Sequence, residues 1–325
     1  MFQSDIILWL QSLGSPALTW CLSTITLLGY PPAYVALILL FAFGIRLRPS
    51  LAALLGLLLA VVLTDALKTG LALPRPSDID ARVERPGDDS PPLPVVEQGA
   101  ARSFWTLPTS EAIAAARARP VSSYGFPSGH VAAAAAFFLG VALFFRSRHG
   151  LVFAVIWVPL MAISRMYLGR HFLADVLGGV AVGVLGVVAA ALLLRPFEKQ
   201  QSSRRAGGAL APLVAVSLLL LLLTPFASVL NPESVGGLVG LALAYAVVLT
   251  TGLPSDSGSI WQRAGRVLTA YAVYLAASQL TDACFDATGW EHTRIAILAT
   301  AALVTAVTLA GTVAVCRRFR LYATR

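Results

Sequence analysis

Between Ser164 and Asp175 the chain reads Ser-Arg-Met-Tyr-Leu-Gly-Arg-His-Phe-Leu-Ala-Asp. Apolar runs flank this stretch on both sides, so it marks the turn between two expected membrane-spanning helices. Ionisable groups at such a boundary are costly and default to a functional reading. His171 and Asp175 are four apart, so on a helix they share a face. A carboxylate held against one imidazole nitrogen fixes the tautomer and raises the basicity of the other. With Arg165 at the end of the preceding helix, the chemistry that fits is attack of an imidazole on a phosphate.

Two more clusters carry compatible chemistry. Lys68 to Pro76 reads Lys-Thr-Gly-Leu-Ala-Leu-Pro-Arg-Pro. Pro74 and Pro76 stop the helix and hold Arg75 extended, so Lys68 and Arg75 can converge on one anion. Asp65, one turn earlier, is placed to pair with Lys68. The bland alternative is a pair of flank residues snorkelling to the interface. Pro127-Ser-Gly-His130 opens the next apolar run. Ser128 is a natural N-cap, and the free amides near Ser128 and Gly129 with the positive helix end make an anion pocket. His130 stands over that pocket as a proton donor. Taken alone, it reads slightly better as a helix cap with an incidental interfacial histidine. A structural ion pair at one turn does not explain three such clusters on one membrane face. His149 and His292 have no such company and read as loop residues.

The elements that position these groups are helices in a membrane. The chain has 325 residues, 57% hydrophobic and only 12% charged, too apolar for an ordinary soluble domain. The net charge of +8 is better explained by arginines gathered in inner loops than by a nucleic-acid partner. Those arginines are Arg46 and Arg48, Arg146 and Arg148, Arg195 with Lys199, Arg204 and Arg205, Arg263 and Arg266, and Arg317 to Arg325. Cys21, Cys284 and Cys316 have neither metal nor redox spacing and read as small residues in apolar surroundings. The first residues lack the basic region of a cleavable signal, so the first spans would direct insertion.

Spans are expected at roughly 31–45, 50–70, 128–145, 150–167, 171–194, 209–229, 235–253, 266–282 and 295–316. Residues 6–29 are interrupted at Gly14-Ser15-Pro16 and read as two short helices at the outer surface. One continuous span is the competing reading. The nine crossings put the N-terminus outside and the C-terminus inside, whereas the competing span would move the N-terminus inside. Ser77 to Tyr124 is one long polar loop, rich in proline and acid (Asp78, Asp80, Glu84, Asp88, Asp89). A short helix is expected at Thr109–Arg119, capped by Thr109 or Ser110. Such a loop is usually functional or disordered and is expected to cover the site. Glycines 178, 179, 183, 186, 236, 237 and 240 would let helices approach closely. The domain reading is a core over 1–200, with interfacial segment and outer loop 77–124, and a C-terminal four-helix extension over 206–325.

The succession Lys-x6-Arg-Pro, Pro-Ser-Gly-His and Ser-Arg-x5-His-x3-Asp resembles the pattern of the type-2 phosphatidic acid phosphatase superfamily. Lys68, Arg75 and Pro76, then Pro127 to His130, then Ser164, Arg165, His171 and Asp175 fit it without a gap, over about the first 200 residues. The resemblance implies an all-α polytopic membrane protein with a six-helix core, here with about four extra C-terminal spans. It further implies a metal-independent phosphatase with a phosphohistidine intermediate.

On that basis His171 is the nucleophile, Asp175 its orienting partner and His130 the proton donor. Lys68, Arg75, Arg165 and the groups at Ser128 and Gly129 hold the phosphoryl oxygens. No cofactor or metal is expected, since the basic side chains supply the charge. The expected partners are a lipid phosphate or polyprenyl (di)phosphate and the surrounding membrane lipids, with no nucleic acid. Two alternatives stand beside this: a phosphotransferase with a hydroxyl acceptor, and a transporter that binds an anion without chemistry. Richness in Ala, Leu and Arg points to a bacterial inner membrane with a periplasmic site. The sequence leaves the oligomeric state open.

Overall fold

Proline and small polar residues set the helix starts. Ser15 accepts from the Leu18 amide at 3.2 Å with Pro16 in the first turn, and Asn231 accepts from Glu233 at 2.9 Å with Pro232 behind it. Ser147 and Thr293 cap two further helices through the amides of Gly150 and Ala296. Each satisfies a donor that a helix end leaves without an intrahelical acceptor. The computed structural model describes residues 1–86, 94–118, 123–199, 211–224, 227–288 and 293–322. Asp88, Asp89, Arg119, Arg204, Arg205, His292 and Arg325 lie outside the described residues.

The elements are α1 (Asp5–Ser12), α2 (Pro16–Leu27), α3 (Pro31–Leu39, ending in a π-helical turn Leu40–Ile45), α4 (Leu47–Leu71), α5 (Pro76–Ile79), α6 (Ser110–Ala118), α7 (Gly129–Phe144), α8 (Arg148–Tyr167) and α9 (Leu173–Lys199). Then come α10 (Ala211–Leu223), α11 (Pro232–Thr250), α12 (Ile260–Thr288) and α13 (Arg294–Ala306), which runs through a π-helical turn Val307–Gly311 into α14 (Thr312–Arg318). The fold is all-α, a polytopic helical membrane protein. Among the described residues, five stretches are long and apolar enough to cross a membrane: Leu47–Ile79, Arg148–Tyr167, Leu173–Arg195, Pro232–Thr250 and Arg294–Arg318. The bent pair α2–α3 would add a sixth. A helix stands at every expected span, but α7 and α10 are apolar and shorter, and α12 does not qualify. Arg263, Arg266, Asp282 and Asp286 keep α12 too polar.

The chain forms two compact units, Met1–Tyr34 with Leu63–Leu185, and Val35–Val62 with Gly186–Arg325. In the first, α1, α2 and α7 pack on α8. Gly179 and Gly183 bring α9 against the backbone of Ser128 and Ala132, where a β-carbon would meet carbonyl oxygens at 2.7 Å. In the second, α11 lies along α13, and Gly236 and Gly240 face the carbonyls of Leu298 and Ala302 with no room for a side chain. Arg294 there donates to the carbonyls of Thr224 and Ala227 at 2.9 and 3.0 Å.

The polar stretch 77–124 is largely folded in its described parts. Ile79, Val83, Ala101 and Ala112 are buried in one cluster with Phe2, Ile7, Val131, Met161 and Phe172. Backbone bonds knit it together: Val95 to Asp78 (2.7 Å), Gly99 to Ile79 (2.6 Å) and Thr109 to Gly99 (2.9 Å). Thr109 caps α6 through the Ala112 amide. The N-terminus is tied into the same layer, since Phe2 and Met1 accept from the amides of Ala101 and Ala174. His149, expected in a loop, is an exposed residue in the first turn of α8.

Candidate active site

The turn Leu168–Phe172 between α8 and α9 is shaped by Gly169, at φ +67°. A β-carbon there would run into the Glu84 carbonyl and lie 2.9 Å from Val83. His171 therefore precedes α9 and does not share a helical face with Asp175, as the spacing had suggested. Asp175 is the third residue of α9, and its Oδ2 reaches back to accept the Phe172 amide at 2.8 Å. That is half of a capping box. The same oxygen meets His171 Nδ1 at 3.4 Å. The carboxylate thus caps the helix and fixes the imidazole, leaving Nε2 as the available nitrogen. Both residues are buried.

Three cations surround this pair. Lys68, near the end of α4, donates to the Tyr124 carbonyl at 2.7 Å and to Ser123 Oγ at 3.5 Å. Asp65, one turn earlier, acts electrostatically on Lys68. Arg75 is extended (φ −87°, ψ 159°) ahead of Pro76, as its position between prolines predicts. Its amide donates to Asp78 Oδ2 at 3.3 Å. Arg165 is 5% exposed at the end of α8. Its neighbour Ser164 bridges the Leu22 carbonyl (2.7 Å) and Thr26 Oγ1 (2.6 Å). His130 lies in the first turn of α7. Burial, and then the charges of Arg165, Lys68, Arg75 and His130, hold the His171 imidazole well below its ordinary range. It is accordingly neutral, with a lone pair to offer.

Several polar atoms here are buried without a partner among the described residues: Arg75 Nε, Arg165 Nε, Ser128 Oγ, His130 Nε2 and Asp175 Oδ1. Buried donors are nearly always satisfied, so a group of them around one imidazole needs an explanation. A tetrahedral oxyanion would satisfy the donors among them together, Arg75 Nε, Arg165 Nε, the Ser128 hydroxyl and His130 Nε2, while Asp175 Oδ1, an acceptor, stays apart from it. One detail corrects the sequence reading. Ser128 stands at the N-cap of α7 but makes no side-chain cap, and its amide donates to the Asp175 carbonyl at 2.8 Å. Its hydroxyl, not its amide, is the available donor. Gly129, the first residue of α7, retains an amide with no acceptor within the helix.

All the residues expected at the site, Lys68, Arg75, Ser128, Gly129, His130, Arg165, His171 and Asp175, thus gather in the first unit. Sequence reasoning missed Thr26, Gly29, Tyr30 and Tyr124. A single tyrosine at the end of an apolar run carries no spacing signal. The proline pair after it shows only that the run bends.

Residues 49–199 match the family model described as the PAP2 superfamily. This stretch belongs to that superfamily. Over 90 residues the chain is 36% identical to human sphingosine-1-phosphate phosphatase 2, covering 26% of this chain and 23% of the relative. Another 73-residue match is 45% identical to phosphatidylglycerophosphatase B of Bacillus subtilis (strain 168), covering 20% of this chain and 36% of the relative. The chain therefore spans about a quarter to a third of the length of these relatives. Mouse sphingosine-1-phosphate phosphatase 2 is 32% identical over 84 residues, 24% of each chain. No solved structure shows a significant match.

Proposed function

We propose that this chain is an integral membrane phosphatase that cleaves a lipid phosphate ester through a phosphohistidine at His171. The observation that carries it is the buried His171–Asp175 pair with unpartnered Arg75 Nε, Arg165 Nε, Ser128 Oγ and His130 Nε2 around it. Its PAP2 stretch and the phosphatase names of its relatives support the same reading.

His171 Nε2 attacks phosphorus in line, forming a P–N bond as the ester P–O bond breaks. The leaving oxygen takes its proton from His130. Arg75, Arg165, Lys68, the Ser128 hydroxyl and the Gly129 amide hold the equatorial oxygens, where charge builds. Asp175 stabilises the positive charge that develops on the imidazole. Water then attacks phosphohistidine 171, with His130 as base, and inorganic phosphate leaves. The basic side chains supply the charge that a metal ion would otherwise bring, so the reaction runs in EDTA.

The relatives are named for sphingosine 1-phosphate and for phosphatidylglycerophosphate. A lipid phosphate of that kind, or a polyprenyl (di)phosphate, is the proposed substrate. Its tails would stay in the bilayer while the head group reaches the charges. We place the site on the outer face of a bacterial inner membrane, in a catalytic core over 1–200, with 206–325 as a helical addition. The test is phosphate release by detergent-purified protein in EDTA. The panel holds phosphatidate, phosphatidylglycerophosphate, undecaprenyl diphosphate and glucose 6-phosphate, with His171→Ala as control. Release that is EDTA-resistant and absent in the variant is expected. Turnover by His171→Ala would overturn the assignment, and transfer to a hydroxyl without free phosphate would make the chain a phosphotransferase.

A further inference from the structure

The segment joining α2 to α3 lies outside the PAP2 match, which begins at residue 49, yet it touches two members of the site. Gly29 donates to the Thr26 carbonyl at 2.9 Å and Tyr30 to Leu27 at 3.3 Å, closing a tight elbow. Thr26 Oγ1 receives Arg165 Nη1 at 3.5 Å and pairs with Ser164 Oγ at 2.6 Å. The Tyr30 hydroxyl accepts from the Arg165 guanidinium. The Tyr30 ring stands edge-on to the His130 imidazole, with centroids 4.7 Å apart and planes at 84°. Gly29 backs onto the same imidazole. A β-carbon on it would lie 2.5 Å from His130 Cδ2 and 2.9 Å from Met161 Cε. Nothing larger than glycine fits unless the His130 ring moves.

Resting on the phosphatase reading above, we infer that the Thr26–Tyr30 elbow completes the site, with Tyr30 as a positioning residue that sets Arg165 through its hydroxyl and His130 through its ring. The two functions separate by chemistry. Arg165 keeps an unpartnered Nε while Thr26 holds its Nη1 and Tyr30 is hydrogen-bonded to its guanidinium, so the elbow decides where that donor points. Guanidinium placement governs anion binding because its donors form a fixed fork. An edge-to-face aromatic contact restricts how the imidazole is turned. That orientation governs proton delivery to the leaving oxygen, hence turnover.

Three substitutions test this. Tyr30→Phe keeps the ring and removes the acceptor; because Arg165 holds an oxygen in bound substrate and transition state alike, kcat/KM is expected to fall about tenfold, chiefly through KM. Gly29→Ala leaves Tyr30 in place and displaces His130, so kcat is expected to fall at least about tenfold with KM little changed. Tyr30→Ala should show both losses. The readout that does not depend on turnover is inorganic phosphate binding to the His171→Ala protein, followed by phosphorus-31 line broadening. It should weaken about tenfold when Tyr30→Phe is added. Tyr30→Phe matching the parent in both KM and phosphate binding would overturn the hydroxyl's role. Gly29→Ala, folded by its melting curve and matching the parent in kcat, would overturn the elbow's role on His130. If Gly29→Ala does not fold, Tyr30→Ala against Tyr30→Phe decides the same point, since equal kcat in the two removes any role for the ring. Failure of the phosphatase reading looks different: no ester is hydrolysed by the parent, while phosphate binding still depends on Tyr30.

Discussion

Asp175→Asn separates the charge of Asp175 from its place in the fold. Asn can keep its side-chain oxygen where Oδ2 lies, so it still accepts from the Phe172 amide (2.8 Å) and from His171 Nδ1 (3.4 Å). The α9 cap survives and the imidazole keeps its tautomer. What is lost is the negative charge opposite the ring as the P–N bond forms. A full unit charge at 3.4 Å in an effective dielectric of about 20 is worth about 5 kcal/mol. With roughly half of that charge developed at the transition state, the loss is about 2.5 kcal/mol, or nearly 10²-fold in kcat. KM should hardly move, because the ground-state imidazole is neutral. Single-turnover phosphate release beside the parent and His171→Ala provides the measure. Parental kcat would refute the idea that the carboxylate's charge assists the reaction. Loss as complete as in His171→Ala would refute the arithmetic and give Asp175 a covalent or proton-transfer role.

Three further outcomes follow from the same geometry. Arg165→Lys removes the fork that reaches Thr26, Tyr30 and a phosphoryl oxygen together, and kcat/KM should fall about 10²- to 10³-fold in the same assay. Gly169→Ala forces an alanine to φ +67° against Glu84 and Val83. That costs about 1–2 kcal/mol in backbone strain alone. Its melting midpoint should drop together with its activity, because His171 rides on that turn. The His171 imidazole, held low by burial and its cationic neighbours, stays neutral when folded but takes up a proton below about pH 6.5 when unfolded. Its share of the stability is therefore present above that pH and lost as pH falls, and denaturant midpoints should decline less steeply in His171→Ala. The kcat/KM profile should correspondingly show no loss near pH 6.5 from protonation of the nucleophile.

The elements were legible wherever one residue type forces a local outcome. Gly14-Ser15-Pro16 separates α1 from α2 because proline starts a helix and cannot continue one. Arg75 between prolines is extended for the same reason. The site residues were legible because charge at a membrane boundary is costly. The geometry inside the turn was not. A four-residue spacing suggests a helical face, but Gly169 keeps His171 off the helix, and the contact forms because the third residue of α9 turns back as a cap. The loop's acidic and proline-rich composition hid Ile79, Val83, Ala101 and Ala112, whose spacing has no period and which are buried through long-range contacts. The elbow at Tyr30 was hidden likewise, since an isolated aromatic in an apolar run looks like any membrane residue.

The arrangement has a thermodynamic consequence that reaches beyond turnover. Lys68, Arg75 and Arg165 all bear on His171, and the carboxylate beside it, Asp175, is already engaged as a cap. Mutual repulsion among the three cations and the orphaned donors at Arg75, Arg165 and Ser128 oppose folding. An anion that meets them repays both costs and binds only the folded state. Inorganic phosphate should therefore raise the unfolding midpoint in detergent, by about 1.4 kcal/mol at ten times its Kd. The effect should grow as pH rises through neutrality, where inorganic phosphate gains its second charge, later than phosphate esters do. Chloride at equal ionic strength should not reproduce it, because a monatomic ion cannot span the separated donors. Arg165→Ala and Arg75→Ala should each melt no lower than the parent without phosphate and lose most of the gain with it. A midpoint indifferent to phosphate in the folded parent would mean that these donors do not converge on one anion.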